Sequence, residues 1–108
     1  MSTIHRTNGS SAVATAGAAT LANRHGQITS EALTTAAAAT YTLTLTNTQV
    51  KAGDNVQAMS AYGTSTTGEP VVTRVAVTDG QIVFSVKNVA AAAALNGTIK
   101  VIYNVFPN

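Results

Sequence analysis

In 108 residues the chain carries 45% hydrophobic but only 9% charged side chains, a formal net charge of +2 and no cysteine. That length predicts one domain, and the missing cysteine excludes a disulfide framework, thiolate metal sites and a cysteine nucleophile. Arg6, Arg24, Lys51, Arg74, Lys87 and Lys100 are scattered, which disfavours nucleic acid, and no run of about 18 apolar residues is present to span a membrane.

The charge deficit, against about 25% in an average chain, is the most informative of these numbers. A small monomer ordinarily needs surface charge to stay apart from its neighbours. So little charge predicts a surface covered by partners or by copies of the same chain.

Residues 1–25 are Ala, Ser, Thr, Gly and Asn with few large anchors, namely Ile4, Val13 and Leu21. They lack the leucine-rich run of a secretory signal and read as mature protein. Ordering them costs about 1–2 kcal/mol per residue in backbone entropy. Their side chains bury little in return, so the segment reads as an N-terminal arm, ordered against a partner or as a thin edge strand around Ala18–Ala22. Residues 26–108 read as the folded domain.

From Gly26 onward, strand signals alternate with turn signals. Gln27–Leu33 reads as a strand and Thr34–Ala39 as a small-residue connection. In Tyr41–Thr46, Tyr41, Leu43 and Leu45 share one face and threonines the other. Asn47–Asn55 reads as a loop, Val56–Tyr62 as a weaker strand and Gly63–Pro70 as a long polar turn. Asp79-Gly80 then marks a two-residue hairpin. Its register sets Val77 against Ile82, Val75 against Phe84 and Thr73 against Val86, with Ala76 facing Val83, Arg74 facing Ser85 and Val72 facing Lys87 on the other side. Asn88–Gly97 reads either as a short alanine helix capped by Asn88 or as an irregular connection. Thr98–Phe106 closes the chain, with Ile99, Val101, Tyr103 and Val105 on one face and Ile102 and Phe106 on the other. A strand apolar on both faces predicts a second cover, supplied by another subunit. The fold class expected from this pattern is all-β: an antiparallel β-sandwich or jelly-roll-like barrel with an extended N-terminal arm.

Little here resembles catalytic machinery. Glu31, Asp54, Glu69 and Asp79 are the only acids. Asp79 belongs to its turn, Asp54 and Glu69 to loops, and Glu31, mid-strand, reads as a partner for a nearby Arg or Lys. His5 and His25 have no companions at metal-ligand spacing, and no G-x-S-x-G elbow or phosphate-binding loop is present. No catalytic residue, metal or cofactor is therefore assigned. The threonine row of TYTLTLTN occurs once with no repeat to stack it, so it reads as the outer face of a strand and not as an ice-binding array.

The segments GQITSEALTTAAAATYTLTLTN (26–47), PVVTRVAV (70–77) and VKNVAAAAALNGTIKVIYNV (86–105) resemble small virion structural proteins of tailed bacteriophages, of the capsid decoration or cement type. The resemblance implies a β-sandwich, a homotrimer, and an arm reaching along the shell. It implies a non-enzymatic protein, made in the host cytoplasm, that binds the major capsid protein on the capsid exterior. Ile102 and Phe106 are the expected subunit interface. Arg6, Val13, Leu21 and Arg24 are the expected capsid contacts. The alternative is a head-fibre or tail adhesin domain that binds host surface glycans, for which Tyr62 and Phe106 remain as aromatics not claimed by inward faces.

Overall fold

A computed structural model of the chain describes residues 11–106. Among the described residues there are eight strands: β1 (Ser11–Val13), β2 (Ala18–Thr20), β3 (His25–Thr29), β4 (Thr40–Thr46), β5 (Asn55–Tyr62), β6 (Pro70–Thr78), β7 (Gln81–Asn88) and β8 (Ile99–Phe106). They form two four-stranded sheets, ordered β1-β3-β8-β5 and β2-β4-β7-β6. The sheets pack face to face as a β-sandwich, a slab measuring 42 × 35 × 20 Å.

The alternation of apolar and polar residues explains the packing. Leu43, Leu45, Ile82, Phe84 and Val86 point inward from one sheet, and Ile28, Ile99, Val101, Tyr103 and Val105 from the other, all buried. Two inner faces of such branched and aromatic side chains make a continuous apolar layer. Phe84 and Tyr103 span it, with ring centroids 6.0 Å apart and planes tilted by 45°.

The sheets are mixed, a refinement of the expected antiparallel arrangement. β1 runs parallel to β3, and β2 parallel to β4. The reason is a crossover inside residues 11–20. Thr15 and Ala18 exchange backbone hydrogen bonds of 2.9 and 3.0 Å around Ala16 and Gly17, both at positive φ (51° and 80°). Two left-handed residues in succession give the tight turn that suits strand twist. Here that turn carries the chain from the edge of one sheet to the edge of the other.

Residues 11–25, expected to belong to the arm, thus run along both sheets, and Ala14, Ala19 and Leu21 join the buried core. Their small side chains bury little area. Backbone pairing along two otherwise open edges supplies what apolar burial does not. The remainder of the expected arm, residues 1–10 with Arg6, lies outside the described residues.

The Asp79-Gly80 hairpin forms as the register predicts from Val77–Ile82 to Arg74–Ser85. Beyond it Thr73 bulges out and pairing shifts by one, so Val72 faces Val86 and Val71 faces Lys87. The bulge turns Val72 inward against the core. It corrects the expected pairs Thr73–Val86 and Val72–Lys87, because the extra residue lets a threonine stay outside while a valine packs, half-buried, against the core.

The 88–97 segment is irregular and contains no helix. Asn88, fully buried, is a crosslink and not a helix cap: its Oδ1 accepts the Glu69 and Ala90 N–H groups at 2.9 and 3.1 Å, and its Nδ2 donates to the Thr35 and Ala93 carbonyls at 3.1 and 2.8 Å. Four backbone groups satisfied by one amide outweigh what a short alanine helix offers.

Candidate functional site

Register places the outward-facing side chains. On the outer face of the β1-β3-β8-β5 sheet, Ser11, Gln27, Ile102 and Met59 form one row across the strands, and Val13, Thr29, Lys100 and Ala61 the next. On the other side of the Ile102 row, His25, Asn104 and Gln57 are aligned, followed by Phe106 and Asn55. Val13 (71% exposed), Met59 (63%) and Phe106 (48%) stand on this face with the half-buried Ile102. A shallow cavity of about 250 Å³ opens between Gln57, Met59, Ile102 and Asn104.

This arrangement brings together residues expected to serve two different contacts. Ile102 and Phe106, assigned to a subunit interface, share a face with Val13, assigned to the shell. Arg24 is exposed at the rim, where its carbonyl accepts the Val105 N–H at 2.6 Å. Leu21 points elsewhere. It is a core residue, 9% exposed, because β2 lies against β4. Met59 escaped the sequence reading. The inward residues beside it, Ala58 and Ser60, are small and semi-polar, so alternation along β5 does not show which side is outer.

The opposite outer face, on β2-β4-β7-β6, is hydroxyl-rich. Thr20, Thr46, Gln81 and Thr78 form a row, followed by Ala18, Thr44, Val83 and Ala76, and then Thr42, Ser85 and Arg74. The threonine row of β4 stands in the middle of this face.

Charge is segregated between faces and ends. None of the eight strands described contains Asp or Glu, while Lys100, Arg74 and Lys87 all lie in strands. The four carboxylates occupy connections, three of them engaged in hydrogen bonds and the fourth, Glu69, at the edge of a cleft. Asp54 Oδ2 accepts the Lys51 N–H at 3.0 Å, and Asp79 Oδ1 accepts the Ala52 N–H at 2.8 Å. Glu31 accepts the Tyr41 hydroxyl at 2.8 Å, a tyrosine partner where an Arg or Lys was expected. Burial, with the Glu31 hydrogen bond and charge, pushes the Tyr41 hydroxyl well above its ordinary range.

A second tyrosine is tied inside. Tyr103 donates to the Asn23 carbonyl at 2.9 Å, and the buried Asn47 donates to that carbonyl at 2.7 Å and to the Tyr103 oxygen at 3.3 Å. Burial pushes the Tyr103 hydroxyl up to about 12, against the opposing effect of the Asn47 hydrogen bond. This cluster is structural: it clamps the connection before β3 to β8 and to the end of β4. Among the described residues no three His, Asp or Glu side chains converge as metal ligands.

At the flank where β5 and β6 meet, Ser60, Ala61, Tyr62, Glu69 and Pro70 line an open cleft of about 460 Å³. Ser60 donates to the Pro70 carbonyl at 2.6 Å, and the Tyr62 hydroxyl donates to the Gly68 carbonyl. The loop between the strands is held by Asn96, whose Oδ1 accepts the Thr66 and Thr67 N–H groups at 2.7 and 3.2 Å and the Ser65 hydroxyl at 3.0 Å. Thr67 Oγ1 donates to the Ala94 carbonyl at 2.6 Å.

No protein-family model, curated protein or solved structure matches the chain.

Proposed function

We propose that the protein is a non-enzymatic structural subunit that works by lying against other proteins. In its specific form the proposal is a capsid decoration protein, bound to the major capsid protein on the outside of a tailed-phage head. The observation that carries the general reading is the outer face of β1-β3-β8-β5, where Val13, Met59 and Phe106 stand exposed on the same side as the half-buried Ile102. Several large apolar side chains exposed on one sheet face mark an interaction surface. The resemblance in residues 26–105 supports the specific form.

A homotrimer belongs to the same proposal. Its contacts would lie off this face, because one surface cannot hold the shell and a sister subunit at once. The threonine face supplies the other broad surface.

Co-sedimentation with purified heads tests the proposal. Attachment that saturates, and raises the temperature at which heads rupture, is the expected result. Protein left wholly in the supernatant would overturn the decoration role. The glycan-binding alternative draws on one feature, the exposed Tyr62 ring beside Glu69 in the β5–β6 cleft. Binding on a glycan array that is lost in Tyr62→Ala would favour it.

A further inference from the structure

We infer that the outer face of β1-β3-β8-β5 docks a different protein, one presenting apolar side chains flanked by carboxylates, and not a second copy of itself. The inference rests on the docking role proposed above for the same face, and it names the partner's chemistry.

Ile102 and Met59 are register neighbours at its centre, with Val13 and Phe106 on either side. The charged side chains here are basic: Lys100 stands one row from Ile102, and Arg24 is exposed at the rim. No strand of this sheet has an acid. The nearest carboxylate by sequence, Asp54 before β5, is turned into its own loop to accept the Lys51 N–H. If two copies met through this face, the cations of both would enter one interface with no strand carboxylate to answer them. Desolvated like charges oppose association, whereas a complementary surface steers it. The apolar centre with Lys100 beside it and Arg24 at the rim selects a partner whose apolar patch is bordered by Asp or Glu.

The test uses the full chain, isotope-labelled for NMR, with two synthetic probes: a peptide alternating Leu and Glu, and one alternating Leu and Lys. The Leu–Glu peptide is expected to shift the amides of Gln27, Met59, Lys100 and Ile102, less so as salt is raised. Lys100→Glu is expected to abolish those shifts, and Lys87→Glu, on the opposite sheet, to leave them. Both substitutions are on exposed or half-exposed positions, so the variant spectra also report whether the fold is kept. Absence of shifts on this face, or equal shifts with the Leu–Lys peptide, would overturn the inference. So would shifts at the same residues on concentrating the protein alone, which would name a second copy as the occupant. Correct peptide mapping with no attachment to heads would sink the decoration role and leave the inference standing.

Discussion

Gly17 shows how much one residue can carry. Its φ is +80°, and a Cβ there would come within 2.8 Å of the Thr42 carbonyl oxygen, while its own carbonyl accepts the Thr44 N–H at 2.8 Å. Gly17→Ala should cost about 1–3 kcal/mol from backbone strain and the close approach, measured by urea denaturation. Tyr103 acts at the same scale through its hydroxyl. The unfolded phenol ionises near 10, and the folded one is raised to about 12. The folded state thus holds its proton more tightly, so this stabilisation is whole below about pH 10 and is lost as pH rises through about 12. Tyr103→Phe should cost about 1 kcal/mol at neutral pH and flatten that alkaline loss, as followed by thermal melts across the pH range.

At the scale of elements, the edge strand β2 makes a sharper prediction. Leu21, which follows it, donates its N–H to the Thr46 carbonyl at 3.0 Å and lies in the core. Leu21→Ala should destabilise the protein by about 2–3 kcal/mol in chemical denaturation, where an arm residue would give almost nothing. That difference also marks where sequence reading works. β4, β7 and β8 were legible because large apolar residues alternate with polar ones, and Asp79-Gly80 set the register between β6 and β7. The Thr73 bulge was not legible, because ideal alternation continues straight through it and only the competition between Thr73 and Val72 for the core decides. β1 was missed for another reason, which also left β2 legible only as a thin edge strand around Ala18–Ala22. Three-residue strands of Ala, Ser, Thr and Val leave almost no periodic signal, and their stabilisation is mostly backbone pairing to distant strands. Of the candidate site, Ile102 and Phe106 could be read as outward-facing from β8 alone. That Val13 stands with them follows from the parallel β1–β3 pairing, which no local pattern reveals.

Over the whole molecule, two broad faces without a carboxylate enclose one apolar layer, and the acids sit in the connections. Substitutions on the β1-β3-β8-β5 face should therefore separate folding from association. Met59→Glu replaces a side chain that is 63% exposed. It should change stability by no more than about 0.5 kcal/mol. On the proposed decoration role, a charge placed in the apolar centre should still abolish attachment to heads, as judged by co-sedimentation. Thr44→Glu on the opposite face is the matched control. Loss of attachment there, with Met59→Glu unaffected, would transfer the docking role to the threonine face.

The clasp formed by Asn96 also bears on how the protein ages. Asn96 precedes Gly97, and an Asn-Gly step is chemically vulnerable because the glycine nitrogen can attack the side-chain amide and close a succinimide ring. That attack requires the amide to swing free. Here its oxygen holds two backbone N–H groups and a hydroxyl of the facing loop, and its nitrogen donates to Thr66 Oγ1 at 3.0 Å. The bonds that shape the loop thereby withhold the reactive carbon, making chemical shelf life a property of the fold. Deamidation at Asn96, followed by peptide mass spectrometry, should lag far behind the same step in an unfolded fragment and quicken when the clasp is loosened by Ser65→Ala.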